Sequence, residues 1–189
     1  MGGHRSGRVG RSLSVPARAA SGQRHAGGRG ADSRSFSLSA MWKETVLWLF
    51  VINLGIAFGA GLYEARVVVP QWAGLPTRQW PNTGLMFWVY VTTVPLTLLT
   101  LAAFFAGWWS PAPVRGWLLA AACIVLVERI ATFGYFIPTM ARLMGADGLP
   151  EAEVKATLAQ WRAANHGRHL LTLAGWLAAL KALSLGRVG

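Results

Sequence analysis

Apolar residues gather along the chain in four long blocks, Thr45–Tyr63, Leu85–Phe105, Trp117–Ile137 and Leu170–Leu185. The hydrocarbon core of a bilayer takes about 20 apolar residues of helix, so each block reads as a membrane span. The fourth is the shortest. From Pro150 onward, however, only Gly167 interrupts the helical pattern, and Glu151 and Glu153 fall in the first turn, where the helix dipole favours acids. That helix is therefore expected to begin well outside the hydrocarbon. The first block is read as a retained span rather than a cleaved signal, with Gly59 and Gly61 as helix-packing residues. Pro95, inside the second block, is expected to kink it. The chain is predicted to be all-α, a transmembrane four-helix bundle with a polar interior and a disordered basic N-terminal tail.

Polar positions within the spans recur at helical spacing. Asn53, Ala57, Ala60 and Glu64 share a face of the first span, and Met86, Tyr90, Thr93, Thr97 and Thr100 a face of the second. Glu128, Thr132, Tyr135, Thr139 and Arg142 follow along the third, with Arg129 beside Glu128. Trp161, Asn165, His169, Thr172 and Trp176 follow along the fourth, with Arg168 alongside. Polar groups facing lipid are costly, so these stripes should turn inward. For the threonines and Asn53, interhelical hydrogen bonding of about 0.6 kcal/mol each is a sufficient role. Glu128 and Arg129 lie near mid-membrane, where a charge costs at least about 2.5–3.5 kcal/mol. Both a functional role and a structural ion pair, Arg129 with Glu64 or with Glu128, fit that position.

The polar features also share one side of the bilayer. Glu64, Arg66, Trp72 and Trp80 follow the first span, Tyr135, Pro138 and Arg142 end the third, and Trp161, Asn165, His166, Arg168 and His169 open the fourth. A pocket opening to that side is expected, with the Pro- and Trp-rich segment 64–84 as its lid.

Composition agrees with the spans and adds a boundary. Of 189 residues, 53% are hydrophobic and 13% charged, with ten Trp, a load suited to two membrane interfaces. The net charge of +11 is uneven, because residues 1–40 carry seven Arg and one Asp in an aperiodic Gly, Ser and Ala background. Such a segment buries too little apolar surface to order itself. It reads as an upstream extension before a natural start at Met41, as a topogenic arm, or as a transit peptide. The orientation depends on it. Without the tail, the side of the termini holds Lys43, Arg115, Lys181 and Arg187, against Arg66, Arg78, Arg142, Lys155, Arg162 and Arg168 opposite. Cytoplasmic termini are the expected arrangement, with Lys43 ahead of a signal-anchor span.

No basic patch interleaved with aromatic residues and no phosphate-binding loop is present, so nucleic acid is not an expected partner. The single cysteine, Cys123, excludes an internal disulfide framework and reads as a small buried hydrophobe. His166 and His169 are the only histidines after the tail, and both lie on one helix, so neither bis-His haem nor a bundle metal site is expected. No Ser-His-Asp set appears. His169 suits a general base, because imidazole titrates near neutrality, and it equally suits an interfacial hydrogen-bonding role.

Three segments carry a resemblance. Gly61-Leu-Tyr-Glu-Ala-Arg-Val-Val-Val-Pro70, Phe136-Ile-Pro-Thr-Met-Ala-Arg-Leu-Met144 and Trp161-Arg-Ala-Ala-Asn-His-Gly-Arg168 are similar, in order and spacing, to helix ends of the small membrane proteins related to anthrone oxygenase. The resemblance covers residues 44–186. It implies a four-helix membrane fold, family-like positions at Glu64, Pro138, Arg142, Trp161, Asn165 and Arg168, and in some members cofactor-free oxidation of an anthrone to an anthraquinone. It suggests a bacterial inner membrane as the location, with membrane lipid and a small lipophilic molecule as partners. Two functions compete. One is an oxygenase acting on a lipophilic aromatic or quinone-like substrate, with His169 or Glu64 as base and Arg168 or Arg129 holding the anion. Tyr135, Arg142, Trp161, Asn165 and Glu128 would then contact substrate. The other is a non-enzymatic scaffold or lipid-binding bundle. An enzyme needs a pocket of about 300 Å³ or more reaching the charged residues, whereas a scaffold should have a closed, threonine-bonded interior.

Overall fold

The computed structural model describes residues 28–72, 75–80, 84–145 and 149–186, with the side chains of 28–40 and Arg78 left aside. Among the described residues, four helices are long and apolar enough to cross a membrane: α1 Met41–Trp72, α2 Leu85–Trp108, α3 Ala112–Gly145 and α4 Glu151–Gly186. The protein is an all-α, multi-pass membrane bundle. All four helices belong to one unit that begins at Leu38. Most of the tail read as disordered, residues 1–27, lies outside the described residues. Residues 28–40 are helical and lead into α1, where composition predicts no order.

The interior is layered along the helices. At the end nearest the termini, Phe50, Leu54, Leu96, Leu118, Val125 and Leu183 form an apolar core. Small residues let α3 and α4 approach closely there: a Cβ on Gly175 would sit 2.5 Å from Val125 Cγ2. At the opposite end Val69, Trp72, Trp80, Phe136, Leu143 and Trp161 form a second, aromatic core. Trp72 and Trp80 stack there at 5.0 Å, and Trp80 Nε1 donates to Leu75 O. Buried Thr92, Glu128, Arg129, Thr132, Asn165, His169 and Thr172 lie between the two cores. Polar groups therefore do turn inward. Large apolar side chains such as Leu98, Phe105, Ile130 and Leu170 point outward, toward lipid. Cys123 is exposed on this outer surface, which corrects its reading as a buried residue.

The helices are not uniform α-helix. Each of the first three contains a π-turn, Glu64–Val68, Trp88–Thr93 and Thr132–Phe136. Each π-turn ends two residues before a proline: Pro70, Pro95 and Pro138. Proline removes one backbone donor, and its ring crowds the carbonyl four residues back. The wider turn relieves that crowding, and an outside donor can take up a freed carbonyl. Pro95 cannot bond the Val91 carbonyl, and Asn53 Nδ2 reaches across from α1 to donate to it at 2.8 Å. Where the sequence predicts a kink at Pro95, the structure shows the π-turn ahead of it.

Candidate functional site

The π-turns decide which side chains reach the site. Each adds about one residue to a turn and so rotates everything beyond it relative to a regular 3.6-residue pattern. In α3 the inward face runs Glu128, Thr132, Phe136 and Leu143. Tyr135 is exposed with its ring edge on Phe136, and exposed Arg142 donates to Glu153 at 2.6 Å. In α2 the inward face runs Thr92, Leu96, Thr100 and Ala103, while Met86 and Tyr90 face outward at 66% and 65% exposure. Met86 and Tyr90, and Tyr135 and Arg142, which the stripes placed inside, thus face outward. α4 has no π-turn, and its stripe of Trp161, Asn165, His169 and Thr172 is buried as the spacing requires.

At mid-height Glu128 and Arg129 pair with each other. Arg129 Nε and Nη2 donate to the two carboxylate oxygens of Glu128 at 2.5 and 2.7 Å, and Thr132 Oγ1 donates to Oε1 at 3.0 Å. The bidentate geometry makes this a strong pair. The charges are fully enclosed, with side-chain exposures of 7% and 1%. The threonines do not hold the helices together as expected: Thr92, Thr97, Thr100 and Thr172 each donate to a carbonyl four residues back on their own helix.

One step toward the aromatic core, Arg168 joins α4 to α1. Its Nε donates to Asn165 Oδ1 at 2.7 Å, and its guanidinium lies over the Phe136 ring at 5.1 Å from the centroid. Its Nη2 is 3.7 Å from Glu64 Oε2, an ion pair but too long for a hydrogen bond. The Glu64 carboxylate has no hydrogen bond among the described residues, so it is oriented by charge while its lone pairs stay free. Two carboxylates and two guanidiniums thus balance within the layer. Trp161, about one turn before Asn165 on α4, donates from Nε1 to Phe136 O at 3.3 Å. His169 is buried against α1, and a Cβ on Gly61 would stand 2.7 Å from its Nε2. That glycine packs as expected; Gly59, with nothing within 4 Å of its Cβ position, faces open space.

Two spaces adjoin these charges. A void of about 20 Å³ lies among Trp88, Thr92, Glu128, Arg129, Arg168 and His169, room for about one water. A far larger cavity of about 720 Å³ opens between α1, the start of α2 and the end of α3. Tyr63, Trp72, Phe87, Trp88, Met140 and Met144 line it, and among the described residues Glu64 is its only charged lining residue. The size and the apolar, aromatic lining match a small-molecule site. Trp88 lines both spaces and stands between them.

A family model described as anthrone oxygenase matches residues 83–178. The chain belongs to the anthrone oxygenase family. No curated protein and no solved structure matches it. The match runs from the start of α2 into α4 and so takes in Trp88, Glu128, Arg129, Asn165, Arg168 and His169, while Glu64 on α1 precedes it. Of the residues singled out in the sequence, this family member brings Glu64, Glu128, Arg129, Trp161, Asn165, Arg168 and His169 together. It leaves Tyr135 and Arg142 on its outside. Sequence reasoning missed Tyr63, Phe87, Trp88, Met140 and Met144 as cavity residues. The signal that could have found them is the proline in each of the first three helices, which implies a register change just ahead of it.

Proposed function

We propose that this protein is a membrane-embedded, cofactor-independent oxygenase that converts an activated methylene of a lipophilic aromatic molecule, of the anthrone type, to a ketone. The observation that carries this reading is the 720 Å³ apolar cavity with one carboxylate, Glu64, in its wall. A closed bundle serving as a scaffold needs no such space.

Glu64 acts as the base in this reading, and its free lone pairs are suited to accept a C–H proton. His169, the other candidate, faces a space that holds no more than about one water. The carbanion left behind is stabilised by the aromatic system and gives one electron to dioxygen. The two radicals combine, forming a C–O bond, and the peroxide takes up the proton. The O–O bond then breaks as the second C–H proton leaves, so that CH2 and O2 become C=O and H2O. Arg168 holds Glu64 in place, and the Glu128–Arg129 pair fixes the layer behind it. The proposed location is a bacterial inner membrane with cytoplasmic termini, supported by Lys43 ahead of the first span.

The test is oxygen uptake with anthrone, comparing the natural chain with Gly59→Phe. Position 59 lines the cavity and has open space at its Cβ, so the ring should enter the cavity and leave the fold intact. The expected result is a fall in kcat/KM of about tenfold or more, with an unchanged melting temperature. Equal kcat/KM in the two proteins would place the substrate elsewhere.

A further inference from the structure

On the face of α1 turned away from the large cavity, a second pocket of about 240 Å³ lies between α1 and α4. Arg66, Trp161, Arg162, Asn165 and His166 are among its lining residues, and none of the described residues lining it is acidic. Among the described residues, Arg66, Arg162 and His166 have no ion-pair or hydrogen-bond partner. Asn165 is 1% exposed; its Oδ1 accepts from Arg168, while its Nδ2 is a buried donor with no partner. A buried amide donor left unpaired costs about 1–3 kcal/mol. Asn165 lines a polar pocket that also carries two guanidiniums without an ion-pair partner among the described residues, a setting suited to an acceptor with negative charge.

We propose that Arg66, Arg162, His166 and the Asn165 amide form a phosphate-binding site, occupied by the headgroup of an anionic phospholipid. Both arginines lie at the ends of the spans, at the depth where headgroups sit. A basic pocket between transmembrane helices at headgroup depth attracts an anionic headgroup by charge. The site is independent of the oxygenase reading, because it shares no lining residue with the large cavity. It does connect to that cavity, since Asn165 bonds Arg168 and Arg168 pairs with Glu64.

The experiment uses the full chain in neutral detergent, with bound lipid counted by native mass spectrometry. Phosphatidylglycerol, phosphatidylcholine and inorganic phosphate are titrated separately. Proteins compared are the natural chain, R66Q/R162Q and, as a control at the other end of the bundle, R115Q. Saturable phosphatidylglycerol binding is expected, well above that of phosphatidylcholine. In R66Q/R162Q it should weaken about thirtyfold, from roughly fivefold for each basic group near an anionic headgroup, and in R115Q it should be unchanged. Both substituted arginines are exposed, so helicity and melting should hold. Binding of inorganic phosphate alone, also lost in R66Q/R162Q, would support the site and assign it to free phosphate. Equal binding of phosphatidylcholine, or natural affinity in R66Q/R162Q, would overturn the proposal. Loss of lipid binding in R66Q/R162Q with oxygen uptake intact would leave the oxygenase reading standing, and saturable phosphatidylglycerol binding by a natural chain that takes up no oxygen would sink only the oxygenase.

Discussion

Arg129→Ala is expected to destabilise the bundle by about 3–5 kcal/mol, the usual effect of removing one partner from a buried ion pair. Glu128 is 1% exposed and would lose two of its three hydrogen bonds, keeping only that from Thr132. No water reaches it from the lipid side, and a carboxylate stranded near mid-membrane carries a cost of similar size. Replacing both members together, as in E128L/R129M, should restore much of the loss, because the desolvation of both charges disappears along with their attraction. Thermal unfolding in detergent, followed by tryptophan fluorescence, reads both variants against the natural chain. A melting temperature for Arg129→Ala equal to that of the natural chain would mean that the pair does not hold the polar layer.

Glu64→Gln should lower the rate of substrate oxidation by about 10² to 10⁴, the range over which a positioned general base contributes. The substitution keeps shape and volume, and the side chain is half-buried at a cavity wall, so the fold has little to lose. Arg168 would lose a 3.7 Å charge partner but keep its bond to Asn165 and its place over Phe136. Melting should shift far less than in Arg129→Ala. The two substitutions therefore separate the groups of the layer: Arg129 carries stability and Glu64 carries turnover. Full oxygen uptake by Glu64→Gln would remove Glu64 as the base.

Much of this was open to reading from the residues. Apolar block lengths locate four spans, because a bilayer imposes a minimum length on any helix that crosses it. Mid-membrane Glu128 and Arg129 announce a polar interior, since neither can face lipid. On α4 Trp161, Asn165, His169 and Thr172 are buried as read, because that helix keeps one period from end to end.

The stripes on α2 and α3 fail where they run through the π-turns. Tyr90 lies within the π-turn Trp88–Thr93, and Tyr135 within Thr132–Phe136. A 3.6-residue extrapolation through those turns assigns the wrong side chain to the interior. Trp88 and Phe136 are the residues lost by that error, and both touch the site. The threonines illustrate a different limit. Their spacing says that they share a face, but the choice of acceptor is settled by the nearest carbonyl, which lies on their own helix. The large cavity was expected only as a pocket on one side of the bilayer. Its walls come from the approach of three helix ends, and no single stretch of sequence encodes that distance.

The most direct test of the oxygenase account is isotope incorporation by the purified full chain, freed of added metal and flavin, from ¹⁸O2 into an anthrone. The expected result is one ¹⁸O atom in the new carbonyl of the product. It should form faster than in the protein-free reaction and fall to near that background with Glu64→Gln. Product oxygen drawn from labelled water, or formation no faster than without protein, would contradict the account.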